Sequence, residues 1–178
     1  PEHPDEVINA LLDISVRSRV DGLVSLEKLE NRVSVGFLRS ALSLLVDGYS
    51  EQEIREILGQ EMQFFRLRRI EIIRVYKFMA KVAPAFGVAG SVIGLISMLG
   101  GLGNSAIILK TIPLALVSTL YGILSANFIF IPLGELVEGK TQDEMFIQKM
   151  IIEGAAAIVR EQNPHKLEKR LSAFLTPA

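Results

Sequence analysis

Between residues 82 and 134 the chain carries one charge, Lys110, while both flanks are dense in Asp, Glu, Lys and Arg. A soluble domain needs charged groups spread over its surface, so a stretch this long without them calls for an apolar solvent. A membrane-spanning helix takes about 20 apolar residues. The stretch has room for two, with a short turn at 103–111. The expected fold is therefore all-α: a membrane protein with a transmembrane helical hairpin at 82–134, a helical region at 1–81 and a helical tail at 135–178. The run before the hairpin carries Arg66, Arg68, Arg69, Arg74, Lys77 and Lys81. Basic residues are retained on the inner side, which makes both flanks cytoplasmic and puts Lys110, in the turn, outside.

Other function classes find little support. A net charge of −1 gives no basic face for nucleic acid. The absence of cysteine removes disulfides, thiolate metal sites and a cysteine nucleophile. His3 and His165 stand far apart without a ligand-like spacing, so neither a metal nor an enzyme is expected. The chain opens on Pro1 rather than Met, from which a preceding segment is expected.

Local signals subdivide the flanks. Val7, Leu11, Leu12, Ile14 and Val16 make an apolar-periodic run that breaks at Asp21-Gly22, and a second run at 33–46 ends at Asp47-Gly48. Ser50-Glu51-Gln52-Glu53 has the form of a capping box and predicts a helix start. Asn163-Pro164 predicts the start of a last helix, which ends before Pro177.

Within the hairpin, Gly87, Gly90, Ser91, Gly94, Ser97 and Gly101 recur every three or four residues, so one helix face is made of small side chains. Close approach of helix backbones replaces the hydrophobic effect that lipid does not supply. Generic helix packing accounts for such a stripe, and an ion route is the sharper alternative. The second span brings Ser118, Thr119, Tyr121, Ser125 and Asn127. Neither span contains a carboxylate. Ion carriage at membrane depth needs an ionisable group, so any such acid has to come from another chain or from outside this sequence. The hydroxyls can line a route, or simply bond back to helix carbonyls.

Ala83-Pro84-Ala85-Phe86-Gly87 followed by Gly90-Ser91-Val92-Ile93-Gly94 resembles the third membrane helix of the MotA/PomA family of flagellar motor stator subunits. Ala115-Leu116-Val117-Ser118-Thr119-Leu120-Tyr121-Gly122, with Ser125-Ala126-Asn127 and Pro132, is similar to the family's fourth. Arg17-Ser18-Arg19, Gly22-Leu23 and Leu26-Glu27 resemble its cytoplasmic signature. The resemblance implies an ion-driven, torque-generating subunit in the bacterial inner membrane, with two further spans before Pro1. It implies a homo-oligomeric ring around a MotB-like partner that carries the ion-binding aspartate. Thr119, Ser91 and Ser118 then belong to the ion pathway, Pro84 and Pro132 are coupling prolines, and Gly87, Gly90 and Gly94 serve helix packing. Arg19, Glu27 and Arg17 become contacts to the rotor switch protein FliG. No cofactor is implied, and the transported ion is H+ or Na+, with the Ser91 hydroxyl leaning toward sodium-type relatives. Other readings are an ExbB/TolQ-type energiser and a passive membrane scaffold.

Overall fold

The computed structural model describes residues 4–22, 26, 36–100, 105–160 and 164–174. Among these all regular structure is helical: α1 (Pro4–Asp21), α2 (Gly36–Val46), α3 (Glu51–Leu99), α4 (Ser105–Ser125), a π-helical segment (Ala126–Phe130), α5 (Ile131–Val159) and α6 (Pro164–Ser172). The chain divides into two units, one drawing on Pro1–Leu67 and Thr141–Ala178, the other being Arg68–Lys140.

The helix ends of the first unit follow from local chemistry. α1 has Asp5 and Glu6 in its first turn and Arg19 in its last, matching the helix dipole at both ends. It is followed by Gly22 at φ +80°, a conformation that glycine adopts without steric cost. α2 closes in a Schellman turn: Gly48 N–H donates to the Leu45 carbonyl at 3.2 Å and Tyr49 N–H to that of Leu44 at 3.1 Å, with Gly48 at φ +76°. The capping box forms as expected. Ser50 N–H donates to the Glu53 carboxylate at 2.9 Å and Glu53 N–H to the Ser50 hydroxyl at 3.4 Å, which satisfies two free amides at the start of α3. Pro164 is the first residue of α6, where its missing N–H costs nothing. Asn163 lies outside the described residues.

This unit holds the core. Val7, Ile8, Leu11, Ile14 and Ser15 line the inner face of α1. They meet Leu42 and Leu45 of α2, Ile54 and Leu58 of α3, Met150, Ile151 and Ala155 of α5, and Leu167 and Leu171 of α6. Gly154 permits the closest contact, because a Cβ there would lie 2.6 Å from Leu11 Cδ1.

The second unit contains the hairpin. Two helices, Glu51–Leu99 and the run Ile108–Val159, are long and apolar enough to cross a membrane. Only 6% and 11% of their apolar windows are buried within the chain, the opposite of a soluble core helix. Phe86, Ile93, Leu114, Leu116 and Phe128 point outward with more than half their surface exposed, as side chains facing lipid do. α3 runs without a break through the change of composition at Lys81 and past Pro84, since in lipid a helix satisfies the backbone's own polar groups and Pro and Gly are tolerated within it. One expectation needs correction. Lys110 is not in a turn: α4 begins at Ser105, so Lys110 sits within the helix and the connection is shorter than 103–111.

Candidate functional site

The two spans cross where the sequence has its small residues. A Cβ on Gly87 would fall 2.9 Å from the Ser118 carbonyl oxygen and 3.1 Å from Gly122 Cα. One on Gly122 would fall 2.7 Å from the Ala83 carbonyl and 2.9 Å from Gly87 Cα. A Cβ on Gly94 would fall 3.0 Å from Ala115 Cβ, and one on Gly90 would land on the Ser118 hydroxyl. Backbone meets backbone along this line, which only glycine and alanine allow. Gly87, Gly90 and Gly94 therefore lie together as expected, whereas Ser97 is exposed and Gly101 is outside the described residues. Gly122 and Ala115 are partners that the stripe on the first span did not disclose. Their signal was present, since Ala115, Ser118, Thr119 and Gly122 recur at three- and four-residue intervals.

The close crossing brings two hydroxyls into contact. Ser91 Oγ lies 2.5 Å from Thr119 Oγ1, 2.5 Å from the Ala115 carbonyl oxygen and 3.3 Å from that of Gly87. Two hydroxyl protons are shared among four oxygens, so lone pairs outnumber donors and the cluster is electronegative. Such a cluster can receive a donated proton or help coordinate a cation, but a serine or threonine hydroxyl does not ionise at neutral pH. Ser118 stands beside this pair, against Gly90. No Asp or Glu occurs at 82–134, and among the described residues no His, Asp and Glu cluster could hold a metal.

The prolines stand at different places in their helices. Pro84 lies inside α3, half-buried, one turn before Gly87. Pro132 is the second residue of α5, exposed, directly after the π-helical segment. Each removes a backbone donor from its helix.

Arg19 is exposed in the last turn of α1. Arg17, also exposed, donates from Nε to Asp13 at 2.8 Å. Glu27 lies outside the described residues.

A charge network unforeseen from the sequence ties the first unit. Arg55 binds Glu153 through both guanidinium arms, at 2.6 and 3.1 Å, and Glu51 at 2.9 Å. Arg170 of α6 reaches Glu153 at 2.9 Å, and Arg160 binds Glu51. The Arg55 guanidinium holds the Glu153 carboxyl below its ordinary range, with Arg170 and Arg160 adding to it against the cost of burial. Glu51 is lowered by Arg160 and then Arg55, while Arg55 itself is raised, by Glu153 first.

Residues 29–150 match the model of the MotA/TolQ/ExbB proton channel family. Motility protein A of Borreliella burgdorferi is 36% identical over 171 residues, which are 96% of this chain and 66% of that protein. Motility protein A of Treponema phagedenis is 33% identical, with 98% of this chain and 68% of that protein covered. The solved structure of C. jejuni MotAB superposes with a TM-score of 0.92 at 30% identity, covering 98% of this chain and 69% of that one.

Proposed function

The chain belongs to the MotA/TolQ/ExbB proton channel family, which is one of channels and not of enzymes, and on that footing we propose that it is an ion-driven, torque-generating stator subunit of a bacterial flagellar motor. The subunit sits in the inner membrane as part of a homo-oligomeric ring and forms its ion channel with a MotB-like partner. The observation that carries this reading is the crossing itself. A hairpin with no carboxylate at 82–134 packs two hydroxyls, Ser91 and Thr119, against each other at 2.5 Å. Polar groups at membrane depth mark ion routes, and a route without its own acid needs one from a partner. Pro84 and Pro132 are proposed to couple ion passage to movement. Arg19, Arg17 and Glu27 are proposed as the contacts to FliG, where charge complementarity steers engagement without making it too tight to release.

The test is complementation of a motile host that lacks its own stator ring subunit, with the partner supplied. Rotation of tethered cells should appear and should depend on the ion gradient. Its response to external sodium, with and without a protonophore, identifies the ion. Thr119→Val should slow rotation at least tenfold while the protein still inserts and assembles. Full rotation with Thr119→Val would remove the hydroxyl pair from the ion route. Charge reversal at Arg19 should cut rotation and be rescued by a facing reversal on the rotor. If no rotor reversal compensates, the rotor assignment fails.

A further inference from the structure

The helical run from Ser105 to Val159 changes its winding at Ala126–Phe130. There Ile131 N–H donates to the Ala126 carbonyl, five residues back rather than four. Beside this wide turn, the Asn127 side-chain amide donates to the Ile123 carbonyl at 2.9 Å. Pro132 follows at once. In a regular α-turn its ring would strike the Phe128 carbonyl, and a wider turn makes room. Pro132 thus holds the wide turn on its far side, and Asn127 satisfies a carbonyl on its near side.

What the turn accomplishes is legible in two glycines. Gly122 faces Ala83 and Gly87 of α3, and Gly134 faces Tyr76 of α3, where an added Cβ would lie 3.5 Å from Tyr76 Cβ. In an unbroken α-helix these positions, twelve residues apart, would point about 120° away from each other. With one residue absorbed by the π turn, eleven remain in α-helical phase and the difference falls to about 20°. The segment therefore contains one residue of slack, and that slack keeps both glycines on α3.

We propose that Ala126–Phe130 is a rotary joint, in which uptake of the slack residue into regular α-helix turns α5 against α4. The step size is set by helix geometry, about 100° of rotation and 1.5 Å of rise. Asn127 is the latch that holds the π register. The proposal deepens the ion-driven reading and rests on it for its purpose, since it gives the hairpin a place where movement in the spans becomes rotation below them.

The chain has no cysteine, and the 3.5 Å between Tyr76 Cβ and a Cβ at position 134 suits a disulfide. In the full complex in membranes, the pair Tyr76→Cys and Gly134→Cys should cross-link. Deletion of Phe128 should leave that cross-link intact, because the joint gives up its slack and the phase is kept. Deletion of Phe128 and Ile129 together should abolish it, because no second residue is spare. In the complementation assay, deletion of Phe128 alone should assemble yet lose rotation at least tenfold. Loss of the cross-link on deletion of Phe128 alone would overturn the proposal, as would its survival in the double deletion or wild-type rotation without Phe128. Absence of rotation with the intact chain sinks the ion-driven reading instead, and the cross-linking arms still decide whether the slack exists.

Discussion

Alanine in place of Gly122 sets a methyl group 2.7 Å from the Ala83 carbonyl oxygen and 2.9 Å from Gly87 Cα. Ordinary contact begins near 3.4 Å, and both neighbours are backbone atoms that cannot rotate away, so α3 and α4 have to part by roughly 0.5–0.7 Å. A gap of that size forfeits about a quarter to a half of the contact energy along the crossing. Overpacking of this kind costs about 2–3 kcal/mol, and removing a glycine from a helix interior returns about 1 kcal/mol. The net loss is about 1–2 kcal/mol, or roughly 5- to 30-fold in the folding equilibrium. The internal comparison is Gly139→Ala in α5, where a Cβ meets nothing within 4 Å and the same substitution should stabilise by about 0.5–1 kcal/mol. Denaturant titration of the two variants in detergent, followed by helicity, should give shifts of opposite sign. If Gly122→Ala is as stable as Gly139→Ala, the backbone crossing does not exist as described.

Glu153→Gln should cost about 1–2 kcal/mol, because it breaks a partly buried bidentate pair with Arg55 and the bond from Arg170. The folded-state carboxyl lies below its unfolded value, so its contribution is fully present above about pH 4.3 and fades as pH falls through the folded value. Stability measured from pH 7 to pH 3 should therefore fall less steeply in the Gln variant, and an unchanged slope would remove Glu153 from the acid response. Gly154→Ala should cost about 1 kcal/mol by crowding the Leu11 side chain. In a double-mutant cycle with Leu11→Ala the two losses should fall short of additive by at least about 0.5 kcal/mol, and strict additivity would deny the contact. For topology, a cysteine at position 110 should react with an impermeant reagent from outside the cell and one at position 81 should not, whereas the reverse labelling would invert the hairpin.

Features that depend on neighbours in sequence were readable, and those that depend on distant neighbours were not. The Ser50 to Glu53 box is a four-residue signal, and the break at Gly48 needs only a residue that tolerates positive φ. The hairpin announced itself by the missing charges, and the small face of α3 by spacing alone. Arg55 and Glu153 meet across 98 residues, and nothing in either one's surroundings marks the other. Lys110 was misplaced because a charge in an apolar stretch reads as a loop, while a helix admits a lysine whose long stem carries the charge away from the apolar surface. The π turn was hidden because helical periodicity only fixes residues to about one position, and the turn adds one.

The core of the first unit joins Leu11 and Leu42 to Ile151 and Leu167, and this has a consequence for how the protein is made. A ribosome adds roughly 5–20 residues per second, so Leu11 waits on the order of 7–30 s for Gly154, 143 residues later, to be synthesised. Over that interval α1 and α2 lack the α5 and α6 side of their core, Met150, Ile151, Leu167 and Leu171, while the hairpin between is handed to the membrane. α1 and α2 thus depend on being shielded during synthesis, and nascent chains halted before Thr141 should be cut by protease within them, where the finished chain is resistant. Protection of those halted chains would mean that α1 and α2 find a stable packing without α5 and α6.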